Sequence, residues 1–413
     1  MRILSGRAGA TRVRELAARG SQFGRVEPSV RRIIAEVRRN GDRALRRYAE
    51  RWDGLNRGDR LRVEETKLQR AWESSTPEFR AALRLAAGNI RKFCEWQKPR
   101  EWMRNRAGIS VGQLVRPLES VGCYVPGGRY PLVSTLLMTV IPAQVAGVKN
   151  IRVVSPQPGA EVLAAATFLG VKEFYGIGGA QAIAALAYGS ESIARVDKIV
   201  GPGNLYVTAA KRLVSFDCAI DFLAGPTEVV ILSDDGRAEF VAADLVAQAE
   251  HDPEALAVFI TTSLTLAKSV AQQIKLQAAN HAIAKESLRR QGAILVARSR
   301  EQALDWANVL AAEHITISRR DVSAIRNAGS VFVGDYSAQA AGDYASGPSH
   351  VLPTAGGARF RGGLSVLDFV KLITVQELSR KGLKRIAPAI EYLAKTEGLQ
   401  AHAASIRIRS DHA

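Results

Sequence analysis

The chain has 413 residues, 47% apolar and 23% charged, with 57 Lys and Arg against 40 Asp and Glu for a net charge of +17. Those proportions exclude collagen-like, disordered and disulfide-scaffold chains. The length exceeds what one compact core usually manages, at ~150 residues per domain, so two or more domains are expected.

The amino terminus, MRILSGRAGATRVREL, lacks the apolar core of a signal peptide, and a cytoplasmic location is expected. Residues 1–105 read as helix throughout. Val30, Ile33, Ile34 and Val37 recur at helical spacing against Arg31, Arg32, Arg38 and Arg39, and Thr76-Pro77-Glu78 opens a run to Trp96. Most of the excess charge is here: residues 1–106 hold 27 basic and 13 acidic side chains, or +14, leaving +3 for the other 307. A basic quarter raises the question of a nucleic-acid partner. No aromatic platform or reader motif accompanies it, so a solvated helical face is preferred.

From Val111 the texture changes. Short β-branched runs at 151–155, 173–177, 198–200, 229–232, 258–262, 294–296 and 331–333 alternate with Ala-rich helical runs, which means α/β with mostly parallel sheets. The apolar stretch 132–148 is broken by Pro142 and by Ser134, Thr135, Thr139 and Gln144, and is too short for the ~20 residues a bilayer needs. Two blocks of alternation point to two α/β domains, and the pattern returns to helix from Leu364 through His402. The expected division is a helical section 1–110 packing with the second α/β domain, α/β domains 111–226 and 227–363, and a small helical section 364–413. Cys94, Cys123 and Cys218 show no C-x-x-C spacing, which favours a reducing compartment and argues against a cysteine metal site.

Three turns, Val125-Pro-Gly-Gly128, Gly176-Ile-Gly-Gly-Ala-Gln181 and Gly201-Pro-Gly-Asn204, can present bare N–H groups to a phosphate or ribose. None is a G-x-G-x-x-G fingerprint. Each reads equally well as a tight strand-to-helix turn.

Four of the six histidines lie in polar clusters. In the segment 244–253 a helix is expected to run to Pro253, putting Gln248 and His251 on one face, where amide oxygen and imidazole suit a metal such as zinc. A helix-end histidine satisfied by Asp252 or solvent fits as well. Glu313 and His314 stand where a helix gives way to a strand and need an irregular backbone to share a pocket; they read either as an acid–base pair or as a cap and a core histidine. The segment from Gly342 to His350 reads as a loop carrying Asp343 and His350. Glu397 and His402 near the chain's end read alone as surface groups.

Taken together, these residues resemble the histidinol dehydrogenase family over about 121–402. The resemblance is carried by Val121-Gly-Cys-Tyr-Val-Pro-Gly-Gly128, Asp197-Lys-Ile-Val-Gly-Pro-Gly-Asn204, Ala224-Gly-Pro-Thr-Glu-Val229, Ala247-Gln-Ala-Glu-His-Asp-Pro253, Ala312-Glu-His314 and Gly342-Asp-Tyr-Ala-Ser-Gly-Pro-Ser-His350. It implies a zinc-dependent homodimer with incomplete Rossmann-like domains that oxidises L-histidinol to L-histidine through histidinaldehyde, with two hydride transfers to NAD. By the same mapping the zinc ligands would be Gln248, His251, Asp343 and His402, and the acid–base pair Glu313 and His314. Ser134, Thr227, His350 and Glu397 would join the zinc ligands around the substrate, and Tyr124, Gln181 and Asn204 would contact NAD, placing NAD on the first α/β domain and zinc on the second. Glu397 and His402 would come from the partner subunit. Thr227, Ala312 and Ser349 depart from the serine, proline and asparagine usual at these positions, so a paralogous zinc and NAD dehydrogenase acting on another small polyol or hydroxy compound is the alternative. Cys123 beside Tyr124 suggests a thiohemiacetal route, but a buried inert thiol is preferred.

Overall fold

The chain opens on a short strand, β1 (Arg2–Ser5), in the computed structural model, which describes residues 1–19, 23–127 and 131–411. Helix was expected there. The strand forms because it completes a parallel sheet far along the chain, a pairing that no local pattern announces. Then follow α1 (Gly6–Ala17), α2 (Glu27–Trp52), α3 (Glu65–Glu73) and α4 (Pro77–Gln97). In α2 the stripe Val30, Ile33, Ile34 and Val37 is buried and the four arginines opposite are exposed, as the periodicity predicts. The helix breaks at Gly41 (φ +46°), where a Cβ would strike the Glu191 carboxylate that accepts from Asp42 N at 2.7 Å. Thr76 caps α4 by accepting from Phe79 N.

A hairpin of β2 (Trp102–Arg106) and β3 (Ile109–Pro117) turns through Ala107-Gly108. The first α/β unit alternates β4 (Ser120–Tyr124), α5 (Val133–Ala146), β5 (Asn150–Val154), α6 (Ala160–Phe168), β6 (Glu173–Tyr175), α7 (Gly179–Tyr188), β7 (Lys198–Val200), α8 (Leu205–Val214) and β8 (Ala219–Ile220). Its sheet is parallel, in the order β6-β5-β4-β7-β8. The winding reverses between β4 and β7, and their carboxyl ends are where such a fold leaves a crevice.

The second unit runs β9 (Glu228–Leu232), α9 (Ala238–Ala249), β10 (Leu256–Thr261), α10 (Leu264–Gln277), α11 (Ala282–Arg290), β11 (Ala293–Val296), α12 (Arg300–Leu310), β12 (His314–Ile317), β13 (Ser330–Val333) and α13 (Gln339–Tyr344). Its parallel order is β1-β11-β10-β9-β12-β13. Every residue of β9 and β10 is buried, since helices cover both faces of the sheet. The expected strands of both units are all present.

The termini bring two corrections. β1 and α1 pack with the second unit, on β11 and α12, whereas α2 packs on α7 and α8, α3 on α6 and α4 on α5 of the first, α4 touching the second only through contacts such as Asn89 Nδ2 donating to Ala345 O at 2.8 Å. The carboxy-terminal section opens on a single helical turn at Val366–Phe369 and then continues not as helix but as β14 (Val370–Leu378), antiparallel to β3 along its whole length, before α14 (Arg380–Thr396) and α15 (Gln400–Asp411). No helix among the described residues is long and apolar enough to cross a membrane.

Candidate active site

Strand β12 starts at His314, just after a link that Ala311 enters with a left-handed backbone (φ +47°). Glu313 is therefore outside the strand, and the alternation that would send neighbouring side chains to opposite faces does not apply to it. Its Oε2 lies 3.7 Å from His314 Nδ1, and both side chains are buried. The same Oε2 accepts from Thr227 Oγ1 at 2.5 Å and from Glu228 N at 2.9 Å. His314 Nδ1 sits 3.2 Å from Glu228 O, and Nε2 lies 3.5 Å from Asp343 Oδ1.

Burial pushes the Glu313 carboxyl up to about 7, against the pull of His314 and its hydrogen bonds. Burial by itself would lower His314, but the carboxylates of Glu313 and Asp343 outweigh it and raise the imidazole to about 9. The ring is thus not at its ordinary value near ~6.5.

Asp343 belongs to the short helix α13 rather than to a loop. Burial would raise its carboxyl, yet His314, His350 and His251 hold it below the ordinary value. His350, whose imidazole burial holds below its ordinary value, donates from Nδ1 to Asp343 O at 2.7 Å, and its Nε2 stands 3.3 Å from Thr135 Oγ1. Ser134 is the preceding residue of α5 and is half-buried.

Helix α9 stops at Ala249, so Gln248 and His251 do not share a helical face: Gln248 is buried in the last turn and His251 lies exposed beyond it. The Gln248 amide nitrogen donates to Thr227 Oγ1, so the engaged end is the nitrogen and not the oxygen a cation would want. Gln248, His251 and Asp343 supply amide oxygen, imidazole and carboxylate, a donor set that fits zinc. Among the described residues no group of three or more His, Cys, Asp or Glu side chains closes to metal distance within one chain. Glu397, the residue that ends α14, and His402 in α15 are exposed on the carboxy-terminal helices, and the fold of a single chain does not bring them into the cluster.

Of the groups mapped to NAD, Tyr124 and Asn204 sit at the other sheet's reversal point and Gln181 stands on α7, after the edge strand β6. Tyr124 ends β4, and its hydroxyl accepts from Gly179 N at 3.1 Å; Gln181, two residues on, donates to Asp53 Oδ2 at 3.1 Å. Asn204 follows β7 and caps α8 by accepting from Tyr206 N and Val207 N. Gly201 (φ +115°) packs so close to the Tyr124 carbonyl that no Cβ fits, which explains this glycine without a ligand. Beneath it the buried Lys211–Asp221 ion pair holds the turn, with Asp221 Oδ2 accepting from Gly201 N at 2.7 Å. Beside the Gly178 turn a cleft of about 550 Å³ is lined by Asp53, Gln157, Arg60 and Lys67. Gly128 of the first glycine turn lies outside the described residues.

The family model described as histidinol dehydrogenase matches residues 17–410. The chain belongs to the histidinol dehydrogenase family, and with that it is an oxidoreductase. It is 47% identical over 393 residues to the histidinol dehydrogenase of Methanothermobacter thermautotrophicus, covering 91% of this chain and 92% of the relative. To that of Geobacillus kaustophilus it is 48% identical over 391 residues, covering 91% and 92%. The crystal structure of histidinol dehydrogenase from Elizabethkingia anophelis superposes with a TM-score of 0.95 at 35% identity, covering 100% of this chain and 98% of that one.

Within this family member the structure adds residues that sequence reasoning missed. Thr135 and Asp53 give no local signal, being an ordinary helix threonine and a turn aspartate. Glu228 does give one: it is a charged residue opening a strand that is otherwise wholly apolar.

Proposed function

We propose that the protein oxidises L-histidinol to L-histidine through histidinaldehyde, by two successive hydride transfers to NAD at a zinc site. The observation that carries this reading is the cluster in which buried Gln248, Glu313 and His314 meet half-buried Thr227, Asp343 and His350. When bound, zinc would supply Lewis acidity at the alcohol oxygen and NAD would accept the hydride. Gln248, His251 and Asp343 would hold the metal together with His402 of a second copy, which would also bring Glu397 to the substrate. Exposed apolar side chains beside them, Tyr392 and Leu393 on α14, Leu399 between α14 and α15, and Leu372 and Ile373 on the preceding β14, support pairing of two chains there.

In this scheme His314 receives the hydroxyl proton at one ring nitrogen, while the Glu228 carbonyl orients the ring through Nδ1. To act as a base the imidazole must be neutral, so the charge of Asp343 must be shared with a cation rather than spent holding the His314 proton. Glu313 takes a proton from the water that attacks the aldehyde. Ser134 and His350 line the substrate side, and Tyr124 and Asn204 serve the cofactor from the β4–β7 edge, with Gln181 from α7.

Purified protein given L-histidinol and excess NAD should form two NADH per histidine, with zinc present at one equivalent per chain. Absence of NADH at millimolar histidinol, with turnover of another small polyol or hydroxy compound, would transfer the reading to a paralogous dehydrogenase.

A further inference from the structure

Glu228 is only 2% exposed, and a carboxylate so deeply buried must be surrounded by donors. It has three: Arg19 Nε donates to Oε1 at 2.8 Å, Ala355 N at 2.8 Å and Glu313 N at 3.3 Å, and a terminal nitrogen of Arg19 forms an ion pair with Oε2 at 2.7 Å. Three distant segments thus converge on one side chain: the stretch after α1, the loop carrying Ala355, and the link before β12. The backbone of the same residue serves the acid–base pair directly, its N–H donating to Glu313 and its carbonyl facing His314.

A second anion beside Glu313 opposes its ionisation, and Glu228 does raise the Glu313 carboxyl. The bidentate guanidinium of Arg19 is the cation that offsets this neighbour. We propose that Arg19 and Glu228 form a positioning unit for Glu313 and His314, fixing the first residue of β9 that aims both side chains and compensating the charge behind Glu313. The inference rests on the reading of Glu313 as the group that activates water. The charged and titratable groups around Glu313 are His314 on its own segment, Glu228 from β9 backed by Arg19, and Asp343 from α13 beyond His314.

The test compares full-length, zinc-loaded wild type with Arg19→Met, Arg19→Lys, Glu228→Gln and the double variant Arg19→Met/Glu228→Gln. Wild type must first oxidise histidinol with NAD. If it does not, the functional reading fails independently of this one. With active wild type, Arg19→Met is expected to lower kcat at least tenfold, more for histidinaldehyde than for histidinol, with the KM for histidinol changed less than twofold and zinc content unchanged. Arg19→Lys should recover part of the loss by keeping the charge without the fork. The double variant should exceed Arg19→Met because no unpaired anion remains. Wild-type kcat in Arg19→Met, or equal losses in both half-reactions that neither Lys nor the double variant repairs, would overturn the proposal. If Arg19→Met does not fold, Arg19→Lys and the double variant decide by the same criteria.

Discussion

Thr227 and Glu313 are joined by a 2.5 Å hydrogen bond in which the hydroxyl donates to the carboxylate while accepting from Gln248. The hydroxyl is therefore committed to the acid–base pair and to a prospective metal ligand, which is more than the substrate contact expected of it. Thr227→Ser should keep activity within about twofold, whereas Thr227→Val should lose about 1.5–3 kcal/mol of support for the charged carboxylate, roughly tenfold or more in kcat. Equal kcat values for the two variants would contradict this linkage.

Glu313→Gln is expected to spare oxidation of the alcohol and to suppress oxidation of the aldehyde, because only the second step needs an activated water. Burial pushes the Glu313 carboxyl up to about 7, so its ionised form grows in as pH rises through that value. Aldehyde oxidation by wild type should then climb between pH 6 and 8, and single-turnover assays across this range are the check. A flat profile, or equal loss of both steps in the variant, would remove the assigned role.

His251→Asn should lose zinc and activity together. The side chain is exposed beyond the end of α9 and supports no core, so thermal stability without metal should stay near wild type. Elemental analysis that finds one zinc per chain in the purified variant would count against His251 as a ligand.

Cys123 is fully buried, and burial pushes its thiol up to about 12. The thiolate is the reactive form, so a thiohemiacetal route has no nucleophile here. Cys123→Ser should retain kcat within about threefold, and the native protein at pH 8 should leave Cys123 unlabelled by iodoacetamide, read by peptide mass spectrometry. Labelling that tracks loss of activity would reopen that route.

The Lys211–Asp221 pair is 2% and 1% exposed at the side chains, and Asp221 also holds Gly201 N and Phe222 N. Asp221→Ala leaves a buried ammonium without its partner and should cost about 3–5 kcal/mol in urea unfolding. Since the Gly201 turn leads to Asn204, the KM for NAD should rise in the milder Asp221→Asn variant. An unchanged urea midpoint for Asp221→Ala would show that the pair does not support the turn.

The sequence by itself determined the α/β class, the amphipathic face of α2, the start of α4, and strands β5–β7 and β9–β13 of the two parallel units, because fully buried parallel strands need continuous apolar runs; β4 and β8 were not among the runs it announced. It also pointed to Glu313, His314 and Asp343, which stand in recognisable segments and meet in the structure. What it did not show were β1 and β14, whose pairing partners lie 291 residues away and in an antiparallel hairpin respectively, as with Arg2 against Ala293 and Val370 against Pro117. Nor did it show that the first helices divide between the two units, or that Arg19, 209 residues from Glu228, reaches it behind the acid–base pair. A side chain's polarity and spacing are local quantities that a sequence carries openly. Which distant carboxylate is buried against which guanidinium is decided only when the whole chain closes.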